Sequence, residues 1–181
     1  MSIILTSMSS VALAEIGDKT QLLTLLLVAR FGKPFLILLA ITLATLVNHY
    51  FAALIGELVN QFLNPQMMRW MVAMGFLAMA VWVLFPDRDD GEIRGGHPFW
   101  TSLMVFFLAE IGDKTQIATV LLGAHYQHLT WVVLGSTLGI VLANAPMLWF
   151  GARLQPYLTS GWGRRLSALL FATLGVVTLI V

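Results

Sequence analysis

The eight-residue peptide Ala-Glu-Ile-Gly-Asp-Lys-Thr-Gln occurs twice, at Ala14–Gln21 and at Ala109–Gln116. The copies lie 95 positions apart (110 − 15 = 95), and each sits inside an apolar stretch long enough to cross a bilayer. A charged group at that depth is costly and is by default a functional-site hypothesis. A duplicated, charged, glycine-containing segment is typical of membrane transporters. The charged residues of the two copies are Glu15, Asp18, Lys19, Glu110, Asp113 and Lys114.

These residue types favour the binding of a hard cation. Glu15 and Asp18 are three residues apart and share one helix face, and Gly17 between them allows local unwinding that would free backbone carbonyls. Four carboxylates and two lysines carry a net charge of −2 (−4 + 2 = −2), which one divalent cation would neutralise. Because carboxylate and amide oxygens suit Ca²⁺, Mg²⁺ or Mn²⁺, the predicted metal ligands are Glu15, Asp18, Glu110 and Asp113.

Amide and hydroxyl side chains near each copy could complete such a site. These further candidates are Gln21, Gln116, Asn48, Asn144, Thr20 and Thr115. The two asparagines could equally be hydrogen-bond partners between helices. His49 borders Asn48, but an adjacent helical residue points about 100° away. No cluster of cysteine or histidine argues for zinc or copper.

The charged residues could instead pair only to hold helices together. A Glu15–Lys19 pair would do this locally, since its members are four residues apart. Each copy, however, keeps one acid more than it has lysines, and burying an unpaired acid for structure alone is unfavourable. Lys19 and Lys114 are expected either to balance charge at the site or to reach structural carbonyls, and the sequence leaves both open.

Composition identifies an integral membrane protein. The chain has 181 residues, of which 59% are hydrophobic and 10% charged, with a mean hydropathy of +0.86; soluble domains are about one quarter charged. A net charge of +1 implies no nucleic-acid partner, and the absence of cysteine excludes disulfides and thiolate ligands. We expect no cleaved signal peptide, because the first apolar stretch carries the motif.

Six apolar segments are each near or above the length of about 20 residues that a spanning helix needs. We therefore predict an all-α fold of six transmembrane helices. It divides into a three-helix repeat at 1–85, a cytoplasmic linker at 86–98 and a second three-helix repeat at 99–181. The predicted spans are 3–29, 34–59, 67–85, 99–124, 131–152 and 163–181.

The distribution of basic residues predicts the orientation of these spans. The side that bears the first, third and fifth loops carries seven basic residues and is assigned to the cytoplasm, whereas Arg69 alone lies on the opposite side. Both termini are then non-cytoplasmic. The linker's acids, Asp87, Asp89, Asp90 and Glu92, favour a solvated loop over a regulatory cation site. The seven basic residues are Arg30, Lys33, Arg88, Arg94, Arg153, Arg164 and Arg165.

Three spans in each half mean that the second half enters the membrane from the opposite side. The halves would then form an inverted repeat about an axis in the membrane plane. Glu15 is 12 residues after Ile3, about 18 Å at helical rise, and so lies near the middle of a core of about 30 Å. Glu110 sits at similar depth, so the two motifs are expected to meet at the centre.

The pattern Glu-x-Gly-Asp-Lys-Thr, present twice within six spans, resembles the signature of the Gdt-type cation/proton exchanger family. The resemblance covers essentially the whole chain and implies transport of Mn²⁺ or Ca²⁺ in exchange for protons. It places Glu15, Asp18, Glu110 and Asp113 at the family's acidic positions. The fifth motif position is lysine in both copies, where arginine is also common in the family. The short central loop resembles a minimal bacterial form in the inner membrane.

These observations favour a secondary transporter over an enzyme, with no cofactor beyond the transported ion. The expected function is export of a divalent cation, Mn²⁺ first and Ca²⁺ second, by alternating access around the midplane carboxylates. Export of a cationic organic solute such as an amino acid is the alternative within transport. An intramembrane aspartyl protease fits less well, because the acids number four and have lysines beside them. A passive channel would not need the predicted −2 trap. The expected partners are the lipid bilayer, the cation and protons.

Overall fold

The structure, a computed structural model, describes residues 2–82, 84–85, 96–158 and 162–180, and gives the backbone alone for 152–158, 162–164 and 167. Within these ranges the chain forms eight helices. Residues 86–95 of the predicted linker, with its acids, lie outside the described residues, as do the side chains of Arg153 and Arg164. The helices are α1 (Ile3–Glu15), α2 (Lys19–Phe31), α3 (Pro34–Phe62), α4 (Pro65–Trp82), α5 (Pro98–Glu110), α6 (Lys114–Tyr126), α7 (Leu129–Leu158) and α8 (Trp162–Ile180).

The helix order repeats between the two halves. Helices α1 to α4 have 13, 13, 29 and 18 residues, and α5 to α8 have 13, 13, 30 and 19. The described part of the chain is therefore two similar four-helix units. This repetition of structure follows the repetition of the charged peptide.

The first predicted span of each half is broken, so the prediction of a continuous helix at 3–29 and at 99–124 was wrong. Gly17 and Gly112 adopt φ values of 80° and 73°. This left-handed backbone ends a right-handed helix and is accessible to glycine at little cost. The predicted unwinding at Gly17 is confirmed.

Helix lengths limit which elements can cross a bilayer alone. Pro34–Phe62 and Leu129–Gly151 are long and apolar enough to do so. A 13-residue helix reaches only about 20 Å, against an apolar core of about 30 Å. The helices α1 and α2 therefore need to follow one another through the membrane to cross it, and so do α5 and α6.

The broken helices are held by the long helix of the opposite half. Helix α1 packs along α7, whereas α5 and α6 pack along α3. The two long helices contact each other, and α4 packs on α8. This exchange between halves brings the breaks in α1–α2 and α5–α6 to the interior.

The contact between α3 and α6 depends on glycine. A Cβ atom at Gly123 would lie 2.5 Å from the Ala53 carbonyl oxygen, and one at Gly56 would overlap the Val120 carbonyl oxygen. Small residues allow helix backbones to approach this closely, and membrane helices commonly pack in this way. The pairing fixes the height of α6 against α3.

Polar and apolar residues are distributed in the opposite sense to a water-soluble protein. Large apolar side chains point outward, for example Phe62 at 84% exposure and Phe35 at 75%. Polar side chains line the interior, including those of Ser7, Ser10 and Ser136. Because so much exposed apolar surface is unfavourable in water, this exterior is suited to lipid.

Candidate functional site

Each helix break places two acids in a defined way. Helix α1 ends at Glu15, and Asp18 is the N-cap residue of α2, where its Oδ1 accepts a hydrogen bond of 2.7 Å from the Lys19 N–H. Helix α5 ends at Glu110, and Asp113 is the N-cap residue of α6. A carboxylate at a helix N-terminus is stabilised by the helix dipole. The breaks thus hold aspartates that would otherwise be costly to bury.

A glutamine side chain closes each break. The Gly17 N–H donates to Gln21 Oε1 at 2.8 Å, and the Gly112 N–H donates to Gln116 Oε1 at 2.6 Å. Gln21 also donates from Nε2 to the Ala143 carbonyl oxygen at 2.8 Å, which ties the first break to α7. The contacts shown by these two glutamines position the loop, and their ligation of a metal stays a prediction.

A threonine orients the glutamate of each copy. The Thr20 hydroxyl donates to Glu15 Oε1, and the Thr115 hydroxyl donates to Glu110 Oε2 at 3.2 Å. The two copies therefore use the same contact five residues apart. Each hydroxyl stabilises a carboxylate that lies outside the reach of water.

Three of the four acids converge. Glu15, Asp18 and Asp113 each offer one oxygen, and these oxygens lie within 4.8 Å of one another. All three side chains are buried. Because Asp113 comes from the second copy of the motif, the structure brings both copies into one cluster, hereafter the three-acid cluster.

Glu110 lies beside the three-acid cluster rather than in it. It is fully buried and close enough to Asp113 and Glu15 for their charges to repel. Its Oε2 atom is 3.6 Å from Nε2 of His49. The second copy of the motif therefore surrounds its glutamate differently from the first.

The two lysines occupy different environments. Lys19 Nζ lies 3.5 Å from Asp113 Oδ1, so it links the two copies of the motif. Lys114 Nζ donates to the Phe85 carbonyl oxygen at 2.9 Å. The two roles that the sequence left open, charge balance and contact with a structural carbonyl, are thus each found once.

The two asparagines also differ. Asn144 Nδ2 donates to Glu15 Oε1 at 2.8 Å, and Asn144 Oδ1 accepts from the Thr24 hydroxyl at 2.8 Å. Asn48 Nδ2 instead donates to the Phe107 carbonyl oxygen at 3.0 Å, which joins α3 to α5. Asn144 is therefore part of the site, and the contact shown by Asn48 is interhelical.

Sequence reasoning missed His49. The expectation that it would point away from the site was wrong, because it was based on Asn48 being the counterpart of Asn144. At the repeat spacing of 95, the counterpart of Asn144 is His49 (144 − 95 = 49). The structure agrees, since Asn144 contacts the glutamate of the first copy and His49 that of the second. Consistent use of the spacing would have found this residue.

The charges of the site suit a divalent cation. The three-acid cluster carries −3 and Lys19 adds +1, which leaves −2 (−3 + 1 = −2). Hard oxygen ligands at this density are typical of sites for Mg²⁺, Ca²⁺ and Mn²⁺. Within the described residues, no other group of three acid or histidine side chains is arranged to hold a metal.

Comparison with known proteins gives the same chemistry. The family model described as "Divalent cation/proton antiporter GDT1" matches residues 3–91 and 98–181. A Vibrio cholerae protein named "Putative manganese exporter" is 49% identical, over 98% of this chain and 90% of that protein. The rice protein "GDT1-like protein 2, chloroplastic" is 25% identical, over 91% of this chain and 57% of that protein. No solved structure matches the chain.

The left-handed glycine at the second break can be tested by substitution. A Cβ atom at Gly112 would have no neighbour within 4 Å, so Gly112→Ala adds conformational strain without a clash. We expect it to lower the free energy of unfolding by about 1–2 kcal/mol. Gly112→Asn should cost less, because asparagine tolerates this region better. Unfolding in detergent by SDS titration measures both variants. Equal stability of wild type and Gly112→Ala would show that this conformation is not required.

Proposed function

The chain belongs to the GDT1 family of divalent cation/proton antiporters, and we propose that it exports Mn²⁺ from the cell in exchange for protons. Antiporters are transporters and not enzymes. The observation that carries the proposal is the three-acid cluster, in which buried carboxylates of both motif copies lie within 4.8 Å. Such a cluster is stable only with positive charge among its members, and a bound divalent cation would supply it.

The proposed ligands are the four motif acids. Glu15, Asp18 and Asp113 would hold the cation together, and Glu110 would bind it as it passes or as the helices move. Asn144 and the motif threonines orient the glutamates. The name of the Vibrio relative favours Mn²⁺, whereas an all-oxygen cluster also suits Ca²⁺, which is the second candidate substrate.

The proposed transport cycle is alternating access between two inverted three-span repeats. Repeated helix lengths and the packing of each broken helix on the long helix of the other half support this arrangement. Broken helices at a repeat interface are typical of ion sites in secondary transporters. Rocking of one repeat against the other would expose the three-acid cluster to each side in turn.

Proton exchange follows from the charge that remains after the cation leaves. Lys19 offsets one of the three clustered charges and leaves −2. Carrying that charge back through the membrane interior would be costly. Protons that bind the carboxylates would remove the cost, and so the return step would bring protons into the cell.

The acids provide the first test. We expect Glu15→Gln, Asp18→Asn, Glu110→Gln and Asp113→Asn each to lower Mn²⁺ transport in proteoliposomes by about a hundredfold or more, as loss of an essential ligand should. Membrane insertion should be unaffected, because neutral side chains insert more readily. Glu57→Gln is the matched control, an acid of α3 outside the cluster. Wild-type transport in all four variants would place the site elsewhere.

Coupling to protons provides the second test. A pH-sensing dye inside proteoliposomes should report loss of protons from the lumen when Mn²⁺ is added outside and enters. Collapse of the pH gradient should slow uphill movement of Mn²⁺. Metal flux with no proton movement and no response to the gradient would show that Lys19 or another ion balances the charge instead.

We propose a bacterial inner-membrane location with both termini on the non-cytoplasmic side. The basis is the bias of arginine and lysine toward the odd-numbered loops. A periplasm-active reporter fused after Val181 should be active, and one fused in the loop at Gly32 should be silent. The reverse pattern would overturn the orientation and the direction of transport with it.

A further inference from the structure

His49 is a buried histidine whose ring makes no hydrogen bond with any described residue. Its exposure is 0%, and both ring nitrogens lack a hydrogen-bond partner in the described part of the chain. Burying polar atoms without partners costs free energy, and buried polar groups in native proteins are overwhelmingly paired. A histidine kept in this position therefore calls for a ligand.

The ring faces one of the motif acids. Nε2 of His49 lies 3.6 Å from Oε2 of Glu110, while Thr115 donates to that same oxygen. The other oxygen of Glu110, Oε1, has no hydrogen-bond partner among the described residues. A carboxylate oxygen and a ring nitrogen are thus both available at one place beside the three-acid cluster.

The first copy of the motif offers nothing equivalent. There the counterpart of His49 is Asn144, whose amide nitrogen donates to Glu15 and whose amide oxygen accepts from Thr24. An amide NH₂ group cannot bind a metal through nitrogen, whereas a neutral imidazole has a lone pair for that purpose. The two halves of the site therefore differ in the softness of the ligands they offer.

We propose that Nε2 of His49, together with Glu110, binds the transported cation, and that this nitrogen makes the protein prefer Mn²⁺ to Ca²⁺ and Mg²⁺. The inference rests on the proposed function. Two ligand atoms that are each about 2.2 Å from one ion lie between about 3 and 4.4 Å apart. The observed 3.6 Å falls inside that range.

The chemistry of the ions explains the preference. Ca²⁺ and Mg²⁺ are bound by oxygen ligands, and Mg²⁺ gives up its water reluctantly. First-row transition metals gain from imidazole nitrogen. A site made of carboxylates alone would separate Mn²⁺ from Ca²⁺ poorly, so one nitrogen ligand among the acids adds the discrimination that an exporter of Mn²⁺ needs.

Transport selectivity tests the proposal. His49→Asn gives the second half the residue found in the first. We expect kcat/KM for Mn²⁺ in proteoliposomes to fall by about tenfold or more, as loss of one ligand should, while that for Ca²⁺ changes far less. Asn48→Ala, at the neighbouring position with an interhelical contact, should leave the ratio between the two ions unchanged. An equal fall for both ions, or no change, in His49→Asn would overturn the proposal.

A binding measurement on the wild type needs no variant. Electron spin-echo envelope modulation of Mn²⁺ bound to the detergent-purified protein, with no polyhistidine tag, should show coupling to a ligand ¹⁴N. His49→Asn should remove that coupling while Mn²⁺ still binds. Bound Mn²⁺ without ¹⁴N coupling in the wild type would overturn the assignment of His49 and leave the proposed function intact. A wild-type protein that neither binds nor moves divalent cations would overturn both.

Discussion

Repulsion among buried carboxylates is the constraint on which the rest of the structure depends. Glu15, Asp18 and Asp113 lie within 4.8 Å of one another inside an apolar bundle, where like charges repel strongly and water cannot screen them. The chain offsets the repulsion with helix N-termini behind the aspartates, hydroxyl and amide donors on the glutamates, and the ammonium group of Lys19. These contributions reduce the negative charge without cancelling it. The remaining charge is what attracts a divalent cation.

The helix breaks serve that constraint. A continuous helix through Gly17 would have no free N–H groups at the membrane centre, so it could not hold an aspartate at a helix N-terminus. The left-handed glycine creates that N-terminus, and Gln21 satisfies the glycine N–H that the break would otherwise leave unpaired. The long helices of the opposite halves then clamp the breaks together. Backbone geometry, side-chain hydrogen bonds and interhelical packing are thus required jointly.

Much of this could be read from the sequence, and the remainder shows what local patterns miss. The duplicated peptide predicted the helical membrane fold and the unwinding at Gly17, because charge, glycine and apolar length are local properties. The glutamine contacts with the breaks were missed, since Gln21 was considered only as a source of ligand oxygen. His49 was missed because Asn48 and Asn144 share a residue type, although their positions differ by one from the repeat spacing. The partner of Lys19 lies on the other copy, and that contact depends on how the halves pack, which no local pattern contains.

The central claim is that both copies of the motif build one cation site, and its most direct measurement is the position of bound Mn²⁺. A crystal of the protein grown with Mn²⁺ should give anomalous scattering at the manganese absorption edge. The structure predicts a single strong peak inside the bundle, bound by carboxylates of both copies, with Asp18 on one side and Asp113 on the other. Two separate peaks, each bound by one copy alone, or a single peak away from these acids, would contradict it.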